Sequence, residues 1–572
     1  MNKFSLYLFI FPLLVVTNIA NGQVVTSIES TYLQTDRDVY IAGEDMFFKG
    51  YTIDAYTKKP LVMSKFAYLV LRNEKNAMIG GTCWKLENDM FSGSIYLPDT
   101  LSTGRYQLVS FTNCMRNQGE QSFYTKEIFV ANRFDKDLTR IYNQQVFIDS
   151  FKINSSNTLQ VKELLSVTTE KNIYGKRERI KIRLDGLGIQ DNEIADFSIS
   201  VHEKVPNFDS KLKITNYPAY DSRQLKNKSD CIYLPEINGI ILEGKVNNID
   251  NQNPITNTLV FLSTPDSVSN LQFTQTNQSG NFKFQLNDYY TDKNLIINLP
   301  RSNKAIIELN NKYELKIPFK PTTQFSDSLL KNFLIKSQNI VQVQKTFKIE
   351  SRKDDLGKAT SKSYPLLVYP PVKEVVYPAD FVSLPDFVEI SREILPLLKT
   401  RKHKDIYEAR MVDLQNIRFF DSDPLLFLDG VPINNISQVI KLGSDKINKI
   451  ESIGEERYFG NLYFSGIVAI FTKKMEINNI NWQTPTLFTK YAIIQPSSLF
   501  IGPNYSKVNK EPDFRQLLFW EPSLTLRSKE TKYIEFQSSD NTGEFIITID
   551  GITTQGNLVS ANSTIKIANH AK

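Results

Sequence analysis

The chain has 572 residues, 41% of them hydrophobic, and a net charge of +6 from 68 basic against 62 acidic residues. That length excludes a single domain and suggests about four. A charge so mild, with no basic run interleaved with aromatics, excludes a nucleic-acid binder.

Residues 1–22 read as a signal peptide. Lys3 is a short positive region, Phe4 to Val16 is an apolar core, and Ala20-Asn21-Gly22 sets small residues where a signal peptidase reads, leaving Gln23 first. Loss of Lys3 takes the charge from +6 to +5. No cysteine follows the cleavage site, so no lipid anchor is expected, and no later apolar run of about 18 residues predicts a transmembrane helix.

Residues 24–132 read as a β-sandwich. Met46 to Thr52, Phe66 to Leu71 and Tyr106 to Phe111 are β-rich runs, separated by turn residues at Pro60, Gly80-Gly81, Ser92-Gly93 and Gly104. Thr35-Asp36-Arg37-Asp38-Val39-Tyr40-Ile41-Ala42-Gly43-Glu44 returns as Thr169-Glu170-Lys171-Asn172-Ile173-Tyr174-Gly175-Lys176-Arg177-Glu178. Each copy precedes a period-2 pattern, Met46 and Phe48 or Ile180 and Ile182, so the unit that repeats is β. The charged residues of each copy read as a strand start facing solvent; a binding epitope is the alternative. Residues 133–235 are expected to hold the second such domain, with strands at Ile180 to Leu184 and Phe197 to Val201, and then a polar linker.

Residues 236–318 read as a third, smaller β domain. Gly239 to Val246 is a strand, Pro254 to Leu262 is a turn and a second strand, and Thr276 to Phe284 reads as a hairpin with Gly280 at its turn. Residues 319–375 read as a connector, with an amphipathic helix over Ser326 to Val341 and a polar, mobile run over Glu350 to Ser363. Residues 376–475 mix helix and strand. Asp386 to Leu395 is helical in pattern and Pro396 ends it. Leu425 to Leu428 is a buried strand, Asp429-Gly430 a tight turn, and Ile447 to Ile453 and Gly466 to Lys473 are further strands. Residues 481–572 read as a last β domain, with strands at Tyr533 to Phe536 and Glu544 to Gly551 and a turn at Ser539 to Gly543.

Three resemblances emerge from these motifs. The Thr-Asp-Arg stretch with Tyr40 and Gly43-Glu44 downstream, together with Gly104-Arg105-Tyr106, resembles the macroglobulin domain of the alpha-2-macroglobulin family. Residues 481–572 resemble the same sandwich. The strand order of 236–318 is similar to the carboxypeptidase regulatory-like domain, a non-catalytic module. Asp429-Gly430-Val431-Pro432, Ile450-Glu451-Ser452-Ile453 and Gly466 to Lys473 are similar to the plug domain of TonB-dependent outer-membrane receptors. The implied fold class is mainly β: tandem immunoglobulin-like or macroglobulin β-sandwiches with one α+β plug-like domain. A receptor barrel needs several hundred residues, and 97 follow Met475 (572 − 475). The chain is therefore expected not to be a receptor, and its plug-like domain to be a docking or spacer module.

Chemistry is sparse in the pattern. His202, His403 and His570 lie far apart, and no zinc spacing, nucleophile elbow or phosphate loop occurs. No catalytic, cofactor or metal residue is assigned. Gly119-Glu120-Gln121 resembles the thioester tripeptide of alpha-2-macroglobulin, but Gln118 stands where the cysteine would be, and a polar hairpin loop is expected instead. Asp421, Asp423 and Asp429 lack the oxygen-ligand spacing of a calcium loop. The basic run Arg401 to Lys404 reads as a solvated loop. Export permits a disulfide between Cys83 and Cys114, which share a domain; two buried thiols are the other reading, and Cys231 is left over. The expected function is a non-enzymatic exported scaffold of the periplasm, outer membrane or cell surface, acting on protein partners. The alternatives are a macroglobulin-type protease-binding or defence protein without a thioester, with a bait segment in 350–375, and an enzyme whose site lies in a domain cleft.

Overall fold

The computed structural model describes residues 27–135, 164–206 and 232–569, apart from 291–292, 300–303, 320–327, 348–351, 355–368, 370–371, 373, 404–405, 460–461, 483–484, 491–493, 504 and 506–510. The expected signal peptide, Cys231, His570, the linker over 207–231 and most of the run expected to be mobile lie outside them.

The first sandwich is built by residues 29–131. One sheet has the order Glu29–Thr35, Asp45–Asp54, Met90–Tyr96; the other runs Val39–Ile41, Tyr124–Ala131, Gly104–Phe111, Phe66–Asn73, Met78–Lys85. Alternating apolar residues from both sheets meet in a core that includes Tyr32, Phe48, Leu69, Trp84 and Leu108, each under 4% exposed. Such a core follows from the period-2 pattern, because one face of each strand must leave water.

The second sandwich repeats this topology strand for strand. Its smaller sheet is Ser166–Thr169, Arg179–Asp185, Thr531–Gln537; its larger one is Ile173–Tyr174, Leu558–Ile567, Gly543–Thr553, Ile194–Glu203, Leu517–Arg527. In both sandwiches the short strand of the repeated motif runs parallel to the last strand, Val39 opposite Phe129 and Ile173 opposite Lys566. The repeat is therefore one eight-stranded unit used twice, and the second copy is split in the chain. Four of its strands precede residue 204 and four follow residue 516. The expectation of one domain in 133–235 and a separate one in 481–572 gives way to a single sandwich made from both. Neither half buries its own apolar faces: Ile180, Phe197, Ile199, Phe545, Ile547 and Val559 share one core.

The long insertion holds the other modules. The third sandwich pairs Asn281–Leu286, Ile240–Asn248, Ala305–Leu309 in one sheet, and Gln272–Gln275, Leu259–Ser263, Asn294–Asn298, Thr486–Lys490 in the other. The expected hairpin at Gly280 is instead a corner: its two flanking strands enter different sheets, and Gly280 turns with φ +76°. Helix α1 (Ser328–Thr346) lays Leu330, Leu334 and Val341 on Val39, Ile41 and Phe129 of the first sandwich. The α+β domain has a five-stranded sheet, Glu374–Val376, Ile447–Ile453, Ile467–Thr472, Leu425–Leu428, Val431–Ile433. Helix α2 (Phe387–Glu393) covers it, capped by the Asp386 carboxylate, which accepts from the Glu389 N–H at 2.9 Å.

From the α+β domain the chain returns along everything already built. Thr486–Lys490 joins the third sandwich, Ile494–Gln495 extends the larger sheet of the first beside Cys83 and Trp84, and Ser498–Phe500 pairs with Arg352–Asp354. It then completes the second sandwich.

Candidate functional site

The repeated motif is an ion-pair staple. In the first copy the Arg37 guanidinium contacts Asp36 and Glu44, both at 3.1 Å. The Tyr40 hydroxyl donates to Asp36 Oδ1 at 2.8 Å, and the Phe47 N–H donates to the same oxygen at 2.9 Å. The other Glu44 oxygen accepts from the Ile41 N–H at 2.7 Å. The motif thus binds its own turn, which explains why an acid, a base, a Tyr and a Glu recur at fixed spacing. The expectation that these charges face solvent is wrong for this copy: Asp36 is 1% exposed. Burial pushes its carboxyl up to about 7, against the opposing pull of Arg37 and Tyr40. In the second copy Lys171 meets Glu178 at 2.6 Å and the Gly175 N–H donates to Glu178, but the Lys171 side chain is 56% exposed. There the solvent-facing reading holds.

Beside the first staple lies a cavity of about 580 Å³, where the first sandwich, α1, the Arg352–Asp354 strand and the restart of the second sandwich converge. Its lining includes Arg37, Glu44, Lys345, Arg352, Phe500 and Arg515. Arg352 is paired with Asp45 at 3.2 Å and with Asp354 at 2.6 Å, and Arg515 contacts Asp513. Lys345 lies over the Tyr96 ring, 5.0 Å from its centre. Deeper in, the buried Glu203 accepts from Lys336 of α1 at 2.6 Å, from Gln516 at 2.8 Å and from Asn541 at 2.6 Å. This carboxylate ties the end of the first half-sandwich to the second half and to the helix.

The other residues singled out in the sequence take structural places. Cys83 and Cys114 are not in a disulfide. Cys83 is fully buried among Tyr68, Phe111 and Met115, and burial pushes its thiol up, while Cys114 opens a short turn. Gly119-Glu120-Gln121 lies, as expected, in the loop joining the antiparallel strands Gly104–Phe111 and Tyr124–Ala131, where Gly119 separates two 3-10 turns, and Glu120 accepts from the Lys316 and Ile317 N–H groups at 2.7 and 2.9 Å. It helps dock the third sandwich on the first. Asp429-Gly430 is a tight turn, with φ +47° and +84°. Asp429 accepts from the Thr472 N–H at 2.7 Å, while its carbonyl accepts from the Asp266 N–H at 2.9 Å. His202 lies on a second-sandwich strand, 3.1 Å from the Ser200 hydroxyl, and burial lowers it to about 4. Arg401, Lys402 and His403 are exposed on the strand Leu398–His403, not on a loop.

Groups that no motif announced make the joints. Lys49 contacts Asp196 across the two sandwiches, and Lys312 and Glu236 of the third, paired at 2.6 Å, both meet the Tyr68 hydroxyl of the first. One signal was present for Lys49 and Asp196: each is a single charge inside an apolar strand, Phe48-Lys49-Gly50 and Ala195-Asp196-Phe197.

No known family profile matches the chain, and no curated protein matches it. Among solved structures it is similar to native alpha-2-macroglobulin of E. coli, at 9% identity and a TM-score of 0.25, covering 95% of this chain and 40% of that one. Salmonella alpha-2-macroglobulin reacted with methylamine gives 10% identity and 0.24, covering 94% and 39%. The Yersinia pseudotuberculosis adhesin InvE gives 10% and 0.13, covering 49% and 55%. The chain spans about 40% of the length of the macroglobulins it matches. At such scores the fold rests on the strand order described above.

Proposed function

We propose that this chain is a non-enzymatic exported scaffold of the cell envelope that works through protein–protein contacts, with an outer-membrane or surface protein as partner. The observation that carries this reading is an apolar end on the α+β domain. Two neighbouring hairpins leave it, joined at their roots by the Leu414 N–H donating to the Gly454 carbonyl at 3.3 Å. They present Leu414, Ile417, Phe419 and Tyr458 at 56, 88, 46 and 67% exposure. Clustered apolar side chains in water mark contact surfaces. The cavity supports the same reading, because Arg37, Arg352 and Arg515 are each committed to an ion pair, and that of Arg352 with Asp45 holds the Arg352–Asp354 strand to the first sandwich. The test is affinity capture from outer-membrane fractions with the wild-type chain and with Ile417→Asp/Tyr458→Asp. A partner recovered by the wild type and lost by the variant is expected; recovery of no specific partner overturns the proposal.

A protease-binding role is the second reading. It is favoured by the strand Arg352–Asp354, which starts the candidate bait segment and is held to the first sandwich through Arg352 and Asp45. Cleavage in 350–375 would then release that contact and change the hydrodynamic radius. An unchanged radius after complete cleavage removes this reading.

A further inference from the structure

Between the first and second sandwiches lies a polar cluster that neither the staple nor the cavity uses. Lys49, on the strand Asp45–Asp54, is 1% exposed. Its amine contacts Asp196 Oδ1 on the facing strand of the second sandwich and sits 4.7 Å from the centre of the Tyr51 ring. The other carboxylate oxygen, Asp196 Oδ2, accepts from the Ser523 hydroxyl at 3.1 Å. Glu521, two residues earlier on the same strand as Ser523, accepts from the Ser523 N–H at 3.3 Å and lies within the field of the Lys49 charge. A buried lysine–carboxylate pair of this kind gains little stability as an ion pair, since desolvation offsets the attraction.

We propose that Lys49 and Asp196 condense into an isopeptide bond that covalently ties the first sandwich to the second, with Glu521 as the proton carrier and Ser523 polarising the carboxyl. Nζ of Lys49 attacks Cγ of Asp196, forming the C–N bond. One carboxylate oxygen leaves as water, taking two of the ammonium protons by way of Glu521. Ammonium and carboxylate thus become an amide and one water, with no oxidant, no cofactor and no net change in charge. Glu521 ends as it began. The environment favours each requirement. Burial lowers the Lys49 amine toward the neutral, nucleophilic form, and burial raises the Glu521 carboxyl toward the form that carries a proton. The two reacting groups are held in contact by packed strands, so the entropy of bringing them together is already met by folding. Because positions 49 and 196 are 147 residues apart, the bond closes a long loop.

The test is intact mass spectrometry of the full-length purified chain under denaturing conditions, with peptide mapping. The wild type should be lighter than its sequence mass by one water, and its digest should contain a branched peptide joining the Lys49 and Asp196 segments. Lys49→Arg and Glu521→Gln should sit at their sequence masses. A wild-type chain at full sequence mass with the two peptides recovered separately overturns the proposal, as does a water loss that persists in Lys49→Arg. The wild-type peptide map decides the matter even where a variant folds poorly.

Discussion

Arg177 grips Asp540 with both arms of its guanidinium, Nε to Oδ1 at 2.8 Å and a terminal nitrogen to Oδ2 at 2.6 Å, although 363 residues separate them. Arg177 belongs to the half-sandwich before the insertion and Asp540 to the half after it. Replacing Arg177 by Ala is expected to destabilise the second sandwich by about 1 kcal/mol, a modest figure because both side chains are partly exposed. Arg177→Lys should recover only part of that, since an ammonium cannot make the paired contact. Chemical denaturation of the full chain checks both.

The two staples provide a matched comparison. Glu44→Ala leaves the buried Arg37 with Asp36 alone and the Ile41 N–H without its acceptor, and should cost about 3 kcal/mol. Glu178→Ala removes the same contacts from a site where Lys171 is solvated, and should cost no more than about 1 kcal/mol. Equal losses in denaturant midpoint would refute the claim that burial separates the two copies.

Gly430 sits where the α+β domain meets the third sandwich. Its φ is +84°, and a Cβ there would lie 2.6 Å from the Val268 carbonyl oxygen, a backbone atom that cannot swing away. Gly430→Ala should therefore cost about 1–3 kcal/mol and loosen this joint. Hydrogen exchange should show faster amide exchange at Asp266 and Asn270, whose N–H groups donate to Asp429 and Gly430. Unchanged exchange at those two positions would count against the joint.

His202 makes stability depend on pH. Its folded value of about 4 lies below the ordinary 6.5 because burial disfavours the imidazolium. Above pH 6.5 its contribution is fully present. As pH falls toward 4 the unfolded chain takes up a proton that the folded chain refuses, so stability drops. Melting temperatures between pH 7 and 4 should fall less steeply for His202→Gln than for the wild type.

Part of the strand content of residues 29–131 was legible: the runs Met46 to Thr52, Phe66 to Leu71 and Tyr106 to Phe111 fall inside the strands Asp45–Asp54, Phe66–Asn73 and Gly104–Phe111, while Glu29–Thr35, buried along its whole length, carries no period-2 pattern to announce it. The Thr-Asp-Arg motif, met twice, correctly announced a repeated β unit. Its chemistry was misread in the first copy, where Asp36, Arg37 and Glu44 look solvent-facing in sequence and are buried by α1 and by the second sandwich.

What the sequence determined by itself was local: period-2 strands, the Asp429-Gly430 turn, the two helices and the recurrence of the staple. All of these depend on residues a few positions apart. Only the tertiary structure decided that the strands after residue 516 complete the sandwich begun at residue 166, that Lys49 meets Asp196, and that Glu203 joins three elements. Those pairings depend on which apolar faces remain uncovered once neighbouring strands have folded. That is a property of the assembled surface, and no stretch of sequence carries it alone.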